Sequence, residues 1–587
     1  LLHLSSFLLS SLRHFMPLLR PFTLARLHYP REVWRDDLLA ALIVSVLLVP
    51  QALAYALVAG LPPAVGVCAS LLPLLAYAAL GSSPVNAVGP AAVLALMTGQ
   101  ALSAVDPLLA SHADAALVLA LETGLLLAAA ALLKLDALSS LLSVPVMQGF
   151  NAGAAVSIVV SQGPTLLGSP AKGFNAPSVV RAWWQAGTTG MGLAAVFGLA
   201  ALAMLWWARR HGKAFAARWL SPTQAAMTVR AAPLIVLMLA IVVAWAVSAP
   251  SHGVVLTGPL PALALQITWP VNAPALWWQL LPAAGAMALV AFVSSLAVTE
   301  RLGLQRGEHI QPRRELAGLA AANLAAGLGG GMPVGGSLAR TALNADAGVR
   351  TRMAGVWTAL VMALVMALLA APLAWLPKSV LAATIILAVA STIEWRAFGE
   401  AWRYARSEAS LMVAVAVLVV LRDAQWALAV GVGASIALLL QRSSQPHAVL
   451  VGRMPGTEHY RNVRRYTAEL TAGVVGIRID ESLLFTNARQ LSGVVVDYLE
   501  QFPGSTRVLL QMSPVNRIDF SGLEALHALQ DILAARGVRL DLSEVKGPVL
   551  DRLRAGGWHT WFTGRLFLSH HQGVLGREPM AAASASA

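Results

Sequence analysis

The chain has 587 residues, 57% of them hydrophobic and 12% charged, with a formal net charge of +13 and a mean hydropathy of +0.69. So small a charged fraction excludes an ordinary soluble globule, where about a quarter of residues are charged, and the apolar runs recur at the roughly 20-residue length that crosses a bilayer. The basic excess reads as a basic inner face, not as nucleic-acid binding, because no nucleic-acid motif accompanies it.

The opening stretch Leu1–Leu19 is apolar but broken by Arg13, His14 and Pro17. Basic residues follow it instead of preceding it, so residues 1–36 read as a cytoplasmic or interfacial lead-in and not as a signal peptide. Apolar spans then fall near 38–59, 62–80, 86–104, 113–133, 140–161, 189–208, 231–249, 276–299, 315–329, 331–347, 353–375, 379–392, 407–422 and 424–441. That makes about fourteen membrane segments, with ends uncertain by a few residues. The single cysteine, Cys68, lies in an apolar run, where a small core hydrophobe is expected.

The third and tenth spans are broken. One contains Gly81-Ser-Ser-Pro-Val-Asn-Ala-Val-Gly-Pro90, the other Gly329-Gly-Gly-Met-Pro-Val-Gly-Gly-Ser-Leu-Ala-Arg340. Each reads as an extended stretch leading into a half-length helix. Irregular backbone at membrane depth is tolerated only where it is buried in protein or lines a cavity. A matched pair in corresponding places of two halves marks a transporter's substrate site. Each half holds seven spans, and seven is odd, so the second half enters from the opposite side as an inverted repeat.

Charge placement agrees. Arg13, Arg20, Arg26, Arg31 and Arg35 precede the first span; Arg209, Arg210, Lys213, Arg218 and Arg230 lie between spans six and seven. Arg301, Arg306, Arg313 and Arg314 lie between eight and nine, and 250–274 has no Lys or Arg. Basic residues mark cytoplasmic loops, so both chain ends are expected in the cytoplasm of a cell whose inner membrane the protein spans.

After Gln441 the long apolar runs stop. Val474–Ile479 and Val508–Met512 read as strands, with helical periodicity over Asn487–Leu499 and from Asp519 through Ala535. A strand over Val538–Leu542 and a helix over Pro548–Ala555 complete an alternation that predicts a small α/β domain over 442–575. Residues 576–587 are expected to be a disordered tail.

The first span, Asp37-Leu-Leu-Ala-Ala-Leu-Ile-Val-Ser-Val-Leu-Leu-Val-Pro-Gln-Ala-Leu-Ala-Tyr-Ala56, is followed by Ala59-Gly-Leu-Pro-Pro63. With Val88-Gly-Pro90, Glu315-Leu, Ala322-Asn-Leu and Gly336-Ser-Leu-Ala-Arg-Thr-Ala-Leu-Asn344, it resembles the sulfate permease (SulP) family of anion transporters. The C-terminal domain resembles the STAS domain. The resemblance spans nearly the whole chain. It implies a transmembrane domain over 37–441 with a core and a gate similar to uracil permease, substrate held between spans three and ten, and a homodimer. It implies a small anion as substrate: sulfate foremost, with bicarbonate and C4-dicarboxylates as alternatives.

A helix N-terminus carries unpaired amides and about half a positive charge, so it binds anions without a charged side chain. Gly89, Ala91 and Ala92 supply candidate amides in the first broken element; Gly336, Ser337 and Leu338 do so in the second, with the Ser337 hydroxyl as an extra donor or cap. Arg340, an ionisable residue inside a membrane segment, is expected to raise the local potential, with a structural ion pair as the alternative. Gln51 and Tyr55 share a helix face and match family positions near the substrate, one to hydrogen-bond an oxyanion and one to wall the pocket.

In the eighth span, Leu289-Val-Ala-Phe-Val-Ser-Ser-Leu296 places Ser294 where many family members have a carboxylate. Serine cannot carry the charge that binds a coupling proton or sodium ion, so uniport, exchange or coupling by another residue is expected. Glu300 is a poor substitute, and Glu122 is a buried acid with a structural partner or a relay role. In the STAS-like domain, Ser521 within Asp519-Phe-Ser-Gly522 matches the phosphorylated serine of anti-sigma antagonists, but an N-cap serine is the favoured reading. A channel, or a sensor signalling to a cytoplasmic partner through this domain, remains a rival. No catalytic motif, metal set or cofactor signature is present, and neither an enzyme nor a cofactor is expected.

Overall fold

The computed structural model describes residues 29–173, 175–219, 221–260, 267–270, 273–444 and 447–576. The expected lead-in over 1–28 and the tail beyond Gly576 lie outside the described residues. The chain divides into two compact units, one ending at Ser435 and the other starting at Ile436.

The first unit is helical. α1 (Arg31–Val58), α2 (Pro63–Cys68) and α3 (Leu72–Leu80) precede β1 (Val88–Gly89) and α4 (Ala92–Leu102). Next come α5 (His112–Leu132), α6 (Val144–Leu166), α7 (Ala176–Ala186), α8 (Leu193–Ala216), α9 (Pro222–Ala246), α10 (Pro274–Arg306) and α11 (Pro312–Leu328). β2 (Gly335–Gly336) leads into α12 (Leu338–Asp346), followed by α13 (Met353–Leu373), α14 (Lys378–Ala390), α15 (Trp395–Tyr404), α16 (Arg406–Leu421) and α17 (Ala424–Ser444).

Each predicted apolar span carries helix. Among the described residues, ten helical stretches are long and apolar enough to cross a membrane. α4 and α12 are not among them: they have 11 and 9 residues. Two helices, α7 and α15, fall where the sequence reading had only loops. Neither is long or uniformly apolar, so neither produces a span signal.

Small residues bring the helices together. A Cβ on Gly149 would lie 2.2 Å from the Met412 carbonyl oxygen, and one on Gly153 would lie 2.5 Å from that of Ala416, so α6 and α16 meet backbone to backbone, as membrane helices do at glycine. The start of α1 is tied down by Asp37, which is fully buried. Its carboxylate accepts from the Arg350 N–H (2.8 Å), the Thr351 N–H (3.1 Å), the Thr351 hydroxyl (2.5 Å) and the Tyr29 hydroxyl (2.8 Å).

The second unit is a six-stranded sheet with helices. β3 (Ala448–Arg453) and β4 (Tyr460–Asn462) precede β5 (Val474–Ile479), α18 (Leu491–Glu500), β6 (Arg507–Gln511), α19 (Phe520–Ala535), β7 (Arg539–Ser543), α20 (Gly547–Ala555), β8 (Leu566–Phe567) and α21 (His570–Leu575). The strand order is β4-β3-β5-β6-β7-β8. β5 to β8 run parallel, with Ile477 opposite Leu510 and Leu510 opposite Leu542, while β3 is antiparallel to β4 and β5. Helical crossovers are what parallel neighbours require. Ile477, Leu510 and Leu529 are fully buried in the core they enclose. β3 and the short strands β4 and β8 went unread in the sequence.

Candidate functional site

The two broken elements meet. β1 pairs with β2 in antiparallel register, Val88 opposite Gly336 and Gly89 opposite Gly335. Each strand turns within three residues into its half-helix, α4 from the first and α12 from the second. Because the strands are antiparallel, the helices leave the ribbon in opposite directions with both N-termini toward it.

The first four amides of a helix have no partner inside it. In α4 these are Ala91, Ala92, Val93 and Leu94; in α12 they are Ser337, Leu338, Ala339 and Arg340. Neither helix has a side-chain cap, so Ser337 does not cap its own helix. Both termini border one cavity of about 530 Å³, whose wall includes Gln51, Tyr55, Ala91, Ala92, Ser294, Gly336, Ser337 and Leu338.

Two of the sequence candidates do not present amides to this cavity. Gly89 sits inside the ribbon, off the cavity wall, where a Cβ would lie 3.4 Å from Arg340 Nη2. The Gly336 N–H donates to Ser295 Oγ at 2.8 Å. The sequence motif marks where the backbone bends but not which amide the neighbouring helix has already taken.

Arg340 lies behind the wall, 1% exposed. Its Nη1 donates to Gln51 Oε1 at 2.9 Å, while Nε and Nη2 have no hydrogen-bond partner among the described residues. No carboxylate pairs with it among the described residues, so the alternative of a structural ion pair is not met. A guanidinium is always charged, and a buried charge without a counterion is costly. The neighbours of Arg340 in the chain, Gly336, Ser337, Leu338 and Ala339, line the cavity. The same bond orients Gln51: with Oε1 occupied by Arg340, the amide nitrogen, which has two donors and no acceptor, is the end left without that partner.

Ser294 lies on the cavity wall, and its hydroxyl donates to the Val290 carbonyl one turn back in its own helix. Its neighbour Ser295, not singled out in the sequence, holds β2. Glu300 and Arg301 also border the cavity. Glu122 is buried with Oε2 unpartnered among the described residues, so the expected structural partner is not found there.

A buried network behind the ribbon was also missed. Glu315, at the start of α11 and fully buried, accepts from the Tyr77 hydroxyl at 2.7 Å, the Ser82 hydroxyl at 2.7 Å, the Ser82 N–H at 3.4 Å and the Asn86 side-chain amide at 2.7 Å. Asn86 Oδ1 in turn receives the Thr341 hydroxyl at 3.4 Å, and Thr341 Oγ1 accepts the Ala87 N–H at 3.2 Å. Asn323 clamps the second element, with Oδ1 accepting the Val334 N–H at 2.9 Å and Nδ2 donating to the Val334 carbonyl at 3.0 Å. Irregular buried backbone must find such partners, and residues far apart in sequence supply them.

In the C-terminal unit, Asp519 caps α19: its carboxylate accepts the Gly522 N–H at 2.9 Å and the Phe485 N–H at 2.7 Å. Ser521 stands at the second helical position, so the expected N-cap serine is replaced by an aspartate cap two residues earlier.

Two opposed half-helices on one cavity within a bundle of membrane-length helices define a multi-pass transporter with discontinuous helices. The sulfate permease family model matches residues 34–415 and the STAS domain model residues 465–573. A probable sulfate transporter of Mycobacterium tuberculosis is 32% identical over 544 residues, 90% of this chain and 92% of its own length. The chloroplastic sulfate transporter 4.1 of Arabidopsis thaliana is 30% identical over 525 residues, covering 87% and 75%. The murine Solute Carrier 26 family member A9 anion transporter, solved in the inward-facing state, superposes with a TM-score of 0.82 over 94% of this chain and 92% of its own, at 21% identity. This chain belongs to the sulfate permease family of membrane anion transporters, which are not enzymes, and carries a C-terminal STAS domain.

Proposed function

We propose that this chain carries a small inorganic anion, sulfate foremost, across the inner membrane by elevator-like alternating access. The observation that carries the reading is the convergence on one cavity of two opposed helix N-termini, the Gln51 amide and the unpaired Arg340 charge. Glu300 and Glu394 also border the cavity, but no cluster of three or more His, Cys, Asp or Glu that could hold a metal ion is found among the described residues, whereas an anion gains amide donors and potential from three directions. The names of the relatives support sulfate. Helix ends discriminate weakly among small anions, so bicarbonate and C4-dicarboxylates are the competing cargoes.

On this reading the backbone amides of Ala91, Ala92, Ser337 and Leu338 form the anion cradle, with Gly336 on its wall and Gly89 in the ribbon behind it. Tyr55 and Ser294 wall it. Fourteen segments over 37–441 cross the membrane as two inverted repeats, with both termini cytoplasmic and two copies forming a dimer. The STAS domain over 442–575 regulates through a cytoplasmic partner, with Ser521 as its candidate phosphorylation site. Serine at position 294 favours exchange, uniport or channel-like conduction over proton or sodium symport.

The test is radiotracer uptake into proteoliposomes with sulfate, bicarbonate and succinate, each with and without proton and sodium gradients. Saturable sulfate uptake that ignores both gradients is expected. Strict proton dependence abolished by Ser294→Ala overturns the uncoupled reading, and anion binding without flux makes the protein a sensor.

A further inference from the structure

A second cavity, of about 380 Å³, lies on the far side of Gln51 and Tyr55, a volume within the range of small-molecule sites. Its body is apolar, walled by Leu47, Pro50 and Ala54 of α1, Leu205 of α8 and Ile385 of α14. Two arginines border it, Arg209 of α8 and Arg230 of α9. Neither is strongly engaged: Arg209 Nη1 donates to the Leu387 carbonyl at 3.4 Å, and Arg230 Nη2 meets Asp346 Oδ2 at 3.4 Å. Two guanidiniums against one carboxylate leave one positive charge in excess.

An apolar chamber with a single surplus positive charge is complementary to a molecule with one negative head and an aliphatic body. A small inorganic anion does not fit that description, because it would leave the apolar wall against water. A neutral hydrocarbon would leave the charge without a partner. Both arginines lie in the stretch between spans six and seven that charge placement assigns to the cytoplasmic side. A head held there would let the chain lie along α1 at the depth of the surrounding hydrocarbon.

We infer that this chamber is a binding site for a monoanionic amphiphile, supplied either as a free long-chain carboxylate or as an anionic phospholipid. Its position gives it a consequence. Gln51, Tyr55 and Ala339 line both this chamber and the anion cavity. An occupant touches the back of the anion site and at the same time joins α1 and α12 to α8, α9 and α14. It therefore restrains any movement of the first pair of helices past the other three. This effect on flux rests on the transport reading above; binding does not.

The test uses the purified full chain and radiolabelled decanoate in equilibrium dialysis. Saturable binding is expected, uncompeted by butyrate, whose chain is too short to fill the chamber. Affinity falls about tenfold or more in R209Q/R230Q, the scale of losing charge-assisted contacts, and in A232W, which fills the chamber from α9 while keeping both charges. Non-saturable binding, or binding unchanged in both variants, overturns the site. Vesicles of phosphatidylglycerol that displace decanoate where phosphatidylcholine vesicles do not identify the phospholipid as the source; displacement by neither identifies the free acid. In proteoliposomes, decanoate lowers the maximal rate of sulfate uptake and leaves its KM unchanged in the wild type but not in R209Q/R230Q. A rise in KM alone overturns the restraint. Absence of any sulfate flux in the wild type counts against the transport reading and leaves the dialysis result standing.

Discussion

Arg340 and Gln51, 289 positions apart, form one donor unit: Nη1 of the arginine meets Oε1 of the glutamine at 2.9 Å. The bond fixes which end of the amide is free, and the remaining guanidinium nitrogens, Nε and Nη2, are buried with no hydrogen-bond partner among the described residues. One residue supplies charge and the other supplies direction.

Gln51→Glu is therefore expected to reverse the site. Its carboxylate pairs with Arg340, cancels the potential and presents an acceptor to the anion, so the KM for sulfate rises by about tenfold or more, the equivalent of about 1.4 kcal/mol. Arg340→Gln raises KM to a similar degree by removing the charge alone. Concentration-dependent uptake in liposomes measures both, and an unchanged KM in R340Q removes the arginine from anion binding.

Ser295→Ala removes the hydroxyl that accepts the part-buried Gly336 N–H. Losing that partner costs about 1–3 kcal/mol, so thermal stability drops and the second element loses its register. Ser294→Ala deletes a hydroxyl bonded back to its own helix and is expected to change stability little. Thermal unfolding of the two variants side by side checks the contrast.

Gly336→Ala is expected to abolish transport while leaving the protein in the membrane. Its Cβ would lie 2.6 Å from Asn86 Oδ1 and 2.7 Å from Ser295 Oγ, so the ribbon must part. Uptake together with surface expression separates this outcome from misfolding.

Glu315→Ala orphans the buried donors of Tyr77, Ser82 and Asn86, a loss of about 3 kcal/mol or more for the group. Glu315→Gln keeps one oxygen for Asn86 and is milder. If the network positions the ribbon through Thr341, E315Q and T341V are non-additive in sulfate KM. Additive effects place Glu315 in general stability only.

In the C-terminal unit, burial pushes the His570 imidazole down from an ordinary 6.5 to about 4, with Nδ1 held 2.9 Å from Ser543 Oγ. The unfolded chain then binds more protons than the folded one between those values, so stability is full above pH 6.5 and declines as pH falls toward 4. His570→Gln flattens that slope. Unfolding of the C-terminal unit followed between pH 4 and 7 tests it.

Much of this was legible in the linear chain because it depends on local chemistry. Glycine and proline mark the two broken elements wherever they lie, and apolar run length marks the crossing helices. Ser337 was read from the break that contains it, whereas Gln51, Tyr55 and Ser294 were named because they match family positions; all four lie on the cavity wall. α7, α15 and the short edge strands β4 and β8 escaped because a short amphipathic helix or edge strand carries too little periodicity; β3, six residues long and inside the sheet, was simply not read. The roles of Glu315, Asn86 and Ser295 escaped for a different reason: each acts through a partner in another segment, and Asn323 clamps backbone 11 residues on, past the end of its own helix.

The sequence by itself determined a polytopic membrane protein with two discontinuous helices and an α/β appendage, because hydropathy, backbone breakers and strand–helix alternation are properties of neighbouring residues. Only the tertiary structure decided that the two breaks pair as antiparallel strands, that the Gly336 amide is spent on Ser295, and that Arg340 turns Gln51 toward the cavity as a donor. Those outcomes depend on which polar groups can satisfy one another once water is gone, and that is set by packing between different segments, 41 residues apart for Ser295 and Gly336 and more than 200 apart for the ribbon and for the Gln51–Arg340 bond.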